Sequence, residues 1–149
     1  MESTLSISAD MPNLVAVLRF VEATAAALQV NRDVIDDMLQ AVDESVINII
    51  VHGYHEQAGN IEIGVSLDGD ALVVRLCDQA PLFNPTLVPP PDLTLPLEKR
   101  RFGGLGIYLA RQFVDSMTYR ITPEGGNELT LRKAGPLKDQ PRAHGDEQP

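Results

Sequence analysis

The sequence predicts an α/β two-layer sandwich: a mixed, mostly antiparallel sheet with helices on one face. Three observations predict it. Residues 60–67, "NIEIGVSL", alternate apolar and polar; the turn signal "DGD" and the run "ALVVRLCD" follow, which reads as an antiparallel hairpin. Residues 14–52 instead carry apolar side chains at helical spacing. Near the end, "GGLGIYLARQFVD" reads as a helix, and "MTYRIT", "PEGGN" and "ELTLRK" as strand, turn and strand. The chain of 149 residues is long enough for one domain with a real core. That domain is expected over residues 1–134, with 135–149 a polar, proline-bearing, disordered tail.

The elements follow in order. Residues 4–8, "TLSIS", alternate and predict a short strand. Asp10 stands where an N-cap belongs, with Pro12 near the first turn. Leu14, Val17, Leu18, Val21, Ala25 and Leu28 then make a helical stripe ending near Val30, and Asn31 is placed to cap a second helix. The stretch "VINIIV", residues 46–51, has strand propensity. Periodicity overrules it: Ile35, Met38, Leu39, Val42, Val46, Ile49 and Ile50 form one stripe, so a helix is predicted over 32–52 with Gly53 at its C-terminal cap. Glu44 and Asn48 share the opposite face. Ile47 and Val51 flank them, so the last two turns are apolar nearly all round and predict burial on both sides.

Charge and cysteine content exclude several classes. A formal net charge of −9 argues against nucleic acid and against an anionic membrane surface, both of which ask for a basic face. No apolar run approaches the ~20 residues of a membrane span, and the first ten residues lack the marks of a signal peptide. The single cysteine, Cys77, excludes an internal disulfide; its apolar surroundings predict a reduced core thiol. No histidine pair has metal-binding spacing. A cytoplasmic protein is expected.

Three constellations could carry chemistry. Glu44-x-x-x-Asn48 stacks a carboxylate and an amide on one helix face. An amide oxygen suits Mg²⁺, and a carboxylate one turn away can take a proton from an attacking hydroxyl or water. An isolated pair of this kind is more often a solvated glutamate and a backbone-bonded asparagine, but a buried amide without partners costs about 1–3 kcal/mol, so an asparagine inside "VINIIV" needs a reason. Asp78 follows the strand directly. It could accept a hydrogen bond from an exocyclic amino group such as adenine's, or simply cap the next turn. "RRFGGLGIYL" places glycines at a helix start, after a segment holding six prolines between Gln79 and Arg101, and beside the basic triplet Lys99, Arg100, Arg101. That combination suits an anion, with a flexible hinge and a solvated basic run as the plainer alternative. It is not a P-loop, since no G-K-[ST] follows. Tyr54, Tyr108 and Tyr119 read as packing residues.

In order, E-x-x-x-N on a helix, Asp after a strand, and a long loop ending in G-G-x-G resemble the histidine kinase-like ATP-binding (Bergerat, GHKL) fold of gyrase and sensor histidine kinases. Within it the sequence is most similar to bacterial anti-sigma factor serine kinases. "AVDESVINIIVHGY" is similar to that family's N box, "DQAPLFNP" to its first glycine box and "GGLGIYLARQFVDSMTYRITPEGGNELTLRK" to its second, with the closing strands. The resemblance spans roughly residues 5–134.

It implies roles. Asn48 would hold Mg²⁺ on the ATP phosphates, and Glu44 would be the general base for a protein serine hydroxyl. Asp78 would bind the adenine amino group, with Ala80 beside it. Arg101, Gly104, Leu105 and Gly106 would wrap the phosphates. The implied substrate is an anti-sigma-factor antagonist, the second partner a sigma factor, and a homodimer lies within the family's range. Two positions depart from its pattern. Ala80 replaces the glycine of Asp-x-Gly, and Asn127, which would still hydrogen-bond at the nucleotide site, replaces the threonine of a Gly-Thr pair. They favour a rival expectation: a partner-switching module of the same fold, catalytically weak or inactive, acting by protein contact. A two-component ATPase domain fits less well, since no phospho-accepting histidine helix is apparent.

Overall fold

The computed structural model describes residues 1–92, 94, 96 and 104–135. Strand β1 (Ser3–Ser8) leads through a short 3-10 turn into α1 (Leu14–Ala27) and α2 (Arg32–Ile47), which continues as a π-helical turn (Asn48–Gly53). The hairpin β2 (Asn60–Asp68) and β3 (Ala71–Asp78) follows, then α3 (Gly104–Phe113) and the hairpin β4 (Ser116–Ile121) and β5 (Asn127–Ala134). The expected basic triplet 99–101 and the tail from 136 lie outside the described residues.

The sheet runs β1-β2-β3-β5-β4, and every pairing is antiparallel. The parallel pair of a mixed sheet is therefore absent among the described strands. The connections explain this. Two helices, not one, join β1 to β2, and an antiparallel helix pair returns the chain to the end it left, reversing the next strand. β3 and β4 do run the same way, but β5 lies between them.

The helices cover one sheet face, as expected. On that face Ile61, Ile63 and Val65 of β2 stand level with Asp78, Leu76 and Val74 of β3, and the row continues into Asn127, Leu129 and Leu131 of β5. Their apolar members pack with Val17, Val21, Met38, Val42, Val46 and Ile50 of the helices in one buried cluster. Each such side chain contributes about 1.5–3 kcal/mol by leaving water. The other face is open and charged. Arg75 donates from Nε and Nη2 to both carboxylate oxygens of Glu2 (2.9 and 2.8 Å), and Arg120 donates from Nε to Glu128 (2.7 Å). Cys77 stands on this open face, half-buried beside Arg75 and Glu128, and not in the core. Burial pushes its thiol up to about 11, so it is protonated and unreactive at neutral pH.

Local signals held with small shifts. Asn31 caps α2, its Oδ1 accepting from the Asp33 N–H at 3.1 Å. Asp10 makes no side-chain cap, and Leu14 begins the α-helix only after the 3-10 turn that Pro12 favours. α1 stops at Ala27 instead of near Val30, because Gln29 turns left-handed (φ 65°). The helix expected over 32–52 is continuous, but it widens into π winding from Asn48. Gly53 is not a left-handed cap; the left-handed residues are His55 and Glu56 (φ 54° and 62°).

Candidate functional site

Four elements meet at one end of the sandwich: the end of α2 with its π turn, the end of β3, the start of α3, and the β4–β5 hairpin. Asn48, Asp78, Ala80, Phe83, Tyr119 and Asn127 line a shared cavity of about 40 Å³. Asn48 reaches it because the α2 stripe faces the sheet, leaving the Glu44 and Asn48 face toward α3. Glu44 does not line the cavity. Its carboxylate lies against the first turn of α3, where a Cβ added to Gly106 would stand 3.0 Å from Oε1. The glycine thus admits the carboxylate to the helix start. Burial, with Asp43 adding a smaller like-charge effect, raises the Glu44 pKa. A raised carboxylate takes protons more readily, as a general base acting near neutral pH requires.

Asp78 closes the cavity from the sheet side and is 6% exposed. Its Oδ1 accepts from the Ala80 N–H (2.9 Å) and from Asn127 Nδ2 (2.8 Å). The turn-capping role is therefore real, but it uses one oxygen, and among the described residues no donor reaches Oδ2. Desolvation raises its pKa, and the two neutral donors offset this only in part. Gly126 permits the approach of β5: a Cβ there would stand 2.5 Å from the Asp78 carbonyl oxygen. Ala80 is buried, and a Cβ on Gly53 would meet its methyl at 3.2 Å. The extra methyl that separates Ala80 from a glycine therefore packs against Gly53 at the cavity wall.

Gly104 opens α3 as expected, and Leu105 and Gly106 form its first turn. Arg101 lies outside the described residues. Two residues read as packing have polar work at the site. Tyr54 accepts at its hydroxyl from the Gln79 N–H (2.7 Å) and donates to the Asn60 carbonyl (2.8 Å), pinning the residue after Asp78. Tyr119 donates to Asn127 Oδ1 at 2.5 Å. Strand alternation puts Tyr119 on the covered face beside Leu129, a signal available in the sequence. Nothing local marks Tyr54, whose partners lie 6 and 25 residues away.

The donor set fits a nucleotide in its chemistry: an acceptor carboxylate at the closed end, an amide one helix away, and a glycine-opened helix start. Among the described residues no cluster of three or more histidine, cysteine or acidic side chains could hold a metal by itself.

Residues 7–133 match the family model of the histidine kinase-like ATPase domain. A serine-protein kinase RsbW from Bacillus mycoides is 32% identical over 124 residues, covering 80% of this chain and 76% of that protein. An anti-sigma F factor from a Thermoanaerobacter species is 30% identical over 114 residues, covering 76% and 79%. Among solved structures, the RsbU and RsbW domains of Rv1364c from Mycobacterium tuberculosis share the fold, with a TM-score of 0.62 at 18% identity, over 90% of this chain and 32% of that one. The chain belongs to the histidine kinase-like ATPase domain family and, within it, to the bacterial anti-sigma factor serine kinases. No described helix is long and apolar enough to cross a membrane.

Proposed function

We propose that this protein is an ATP- and Mg²⁺-dependent serine kinase that phosphorylates an anti-sigma-factor antagonist and sequesters a sigma factor. The observation that carries the reading is the joint placement of three groups: Asn48 and Asp78 on one cavity, and Glu44 one turn away against the glycine start of α3. The names and identity of the relatives support the same class of activity.

Each residue has a task. Asp78 accepts the exocyclic amino group of adenine through Oδ2, its other oxygen being held by Asn127 and Ala80. Asn48 offers its amide oxygen to Mg²⁺, which would neutralise phosphate charge that this acidic chain leaves largely unmatched. The first turn of α3 presents backbone N–H groups to the phosphates. Glu44 takes the proton from the attacking serine hydroxyl as its oxygen bonds to the γ-phosphorus; the bond to the bridging oxygen breaks and ADP leaves. The raised Glu44 pKa suits that step.

A second reading keeps the fold and partners but not the catalysis. The small volume of the cavity and the methyl of Ala80 favour it. Calorimetric titration with Mg-ATP, followed by a phosphate-transfer assay on a candidate antagonist, separates the two. The kinase reading expects saturable binding and Glu44-dependent transfer. Absence of binding at millimolar nucleotide leaves only the contact module.

A further inference from the structure

We propose that Asn127 is a latch: it fastens the segment Ala80–Phe83 over the cavity, and it sets how readily a nucleotide enters without touching the nucleotide. The inference rests on the nucleotide reading of the site. An asparagine amide has two donors and two acceptor lone pairs. Here all are taken by protein. Nδ2 donates to Asp78 Oδ1 (2.8 Å), to the Ala80 carbonyl (3.1 Å) and, more weakly, to the Pro81 carbonyl (3.4 Å). Oδ1 accepts from the Phe83 N–H (3.0 Å) and from the Tyr119 hydroxyl (2.5 Å). Asn127 is 6% exposed, and its register opposite Asp78 fixes where the amide points. Nothing remains on it for a base.

The segment it fastens is the cavity's outer wall. Ala80, Pro81 and Phe83 all line the space, yet Phe83 is itself 46% exposed. Burial of the Phe83 ring is therefore a poor anchor for this wall; Ala80 is also held by its own N–H on Asp78, and the side-chain amide of Asn127 is the tie that reaches Phe83 from β5. The cavity's 40 Å³ is room for about three waters at roughly 10–15 Å³ each. Pockets for drug-sized ligands begin near 300 Å³. A purine needs more room than this; lifting the segment supplies it, and breaks the bonds from Asn127 to Ala80, Pro81 and Phe83. Apparent affinity then scales with the fraction of molecules unlatched. A threonine hydroxyl, with one donor, cannot hold both strand and segment. The asparagine is thus a brake that a threonine at this position would not supply.

Two measurements test this on the full chain, for wild type, Asn127→Thr and Tyr119→Phe, each checked for a cooperative melt. The first is hydrogen exchange of the Phe83 amide without nucleotide. Asn127→Thr should speed it about tenfold or more, the loss expected for one or two net hydrogen bonds; Tyr119→Phe, which only loosens the amide, should speed it less. The second is stopped-flow association of a fluorescent ATP analogue with Mg²⁺, where Asn127→Thr should raise the association rate by a similar factor. Unchanged Phe83 exchange overturns the latch. Faster exchange with an unchanged association rate, in a protein that does bind, overturns its control of entry. Faster exchange with no binding by any variant overturns the nucleotide reading, and control of entry with it.

Discussion

Asp78 and Glu128 are both nearly inaccessible carboxylates, 6% and 8% exposed, in adjacent rows of the β3–β5 ladder, yet they sit on opposite faces of the sheet. Their surroundings push them in opposite directions. Glu128 faces the open side, where Arg120 binds both of its oxygens (2.7 and 3.1 Å) and holds its pKa down. Asp78 faces the helices, where its partners among the described residues are neutral donors and burial holds its pKa up. A carboxylate matched to a guanidinium is spent on structure. A carboxylate kept in a dry place without a counter-charge is a strained group held ready for a ligand, the arrangement expected at functional sites.

The largest predicted effect tests whether catalysis sits on the covered side. Glu44→Gln should cut phosphate transfer by about 10²–10⁴-fold while leaving nucleotide binding intact. The parent's transfer rate should fall on the acid side of neutrality with a midpoint above the ordinary glutamate range, since burial raises Glu44. A limb inside the ordinary range would remove Glu44 as the base.

Next, Asp78→Asn should weaken ATP binding by about 100-fold, the scale of a lost hydrogen bond to a charged group. It should not destabilise the fold at neutral pH. With a raised native pKa, ionised Asp78 opposes folding, and this penalty appears as pH rises through the native value. Calorimetry and urea melts together check both halves; weaker binding that merely follows lost stability would break the contrast.

Glu128→Gln should do the reverse: leave nucleotide binding alone and cost about 1–2 kcal/mol at neutral pH. Because the native pKa of Glu128 is lowered, its stabilisation is present above the ordinary glutamate range and disappears as pH falls through the native value. The variant's stability curve should therefore converge on the parent's in acid. Parallel curves would mean that the ion pair contributes nothing.

The smallest effect concerns the far end of the same open face. A Cβ on Gly64 would fall 2.1 Å from a Glu2 carboxylate oxygen. Gly64→Ala must displace Glu2, but Glu2 is a long side chain and partly exposed, so breaking its fork with Arg75 should cost only about 0.5–1 kcal/mol in a urea melt.

How far the sequence disclosed these features depends on how local each one is. The stripe from Ile35 to Ile50 and the alternation of 60–78 reflect what each segment buries, so helix, hairpin and covered face were readable. Asn48 could be singled out because an amide in an apolar run is a local contradiction. The same alternation places Cys77 in phase with Arg75, on the open face; the apolar run around it hid that parity. The bonds of Tyr54 and Asn127 lie beyond any such pattern, since they join residues up to 49 positions apart. The antiparallel order at every pairing likewise depends on how the helix pair returns the chain, which no single segment encodes.

The π turn at Asn48–Gly53 has a consequence for relating this chain to others by position. Each π turn takes up more residues than an α turn, so this helix end holds an extra residue relative to uniform winding. Deleting any one residue between 48 and 53 would restore even winding without breaking the helix. The residues beyond would keep nearly the same direction, but the widened turn that brings Asn48, Ile49 and Gly53 to the cavity wall would be gone. A relative lacking one residue here would align well over the whole domain and still have a differently walled cavity. The count of residues between Asn48 and Tyr54 is therefore as informative about the site as their identities.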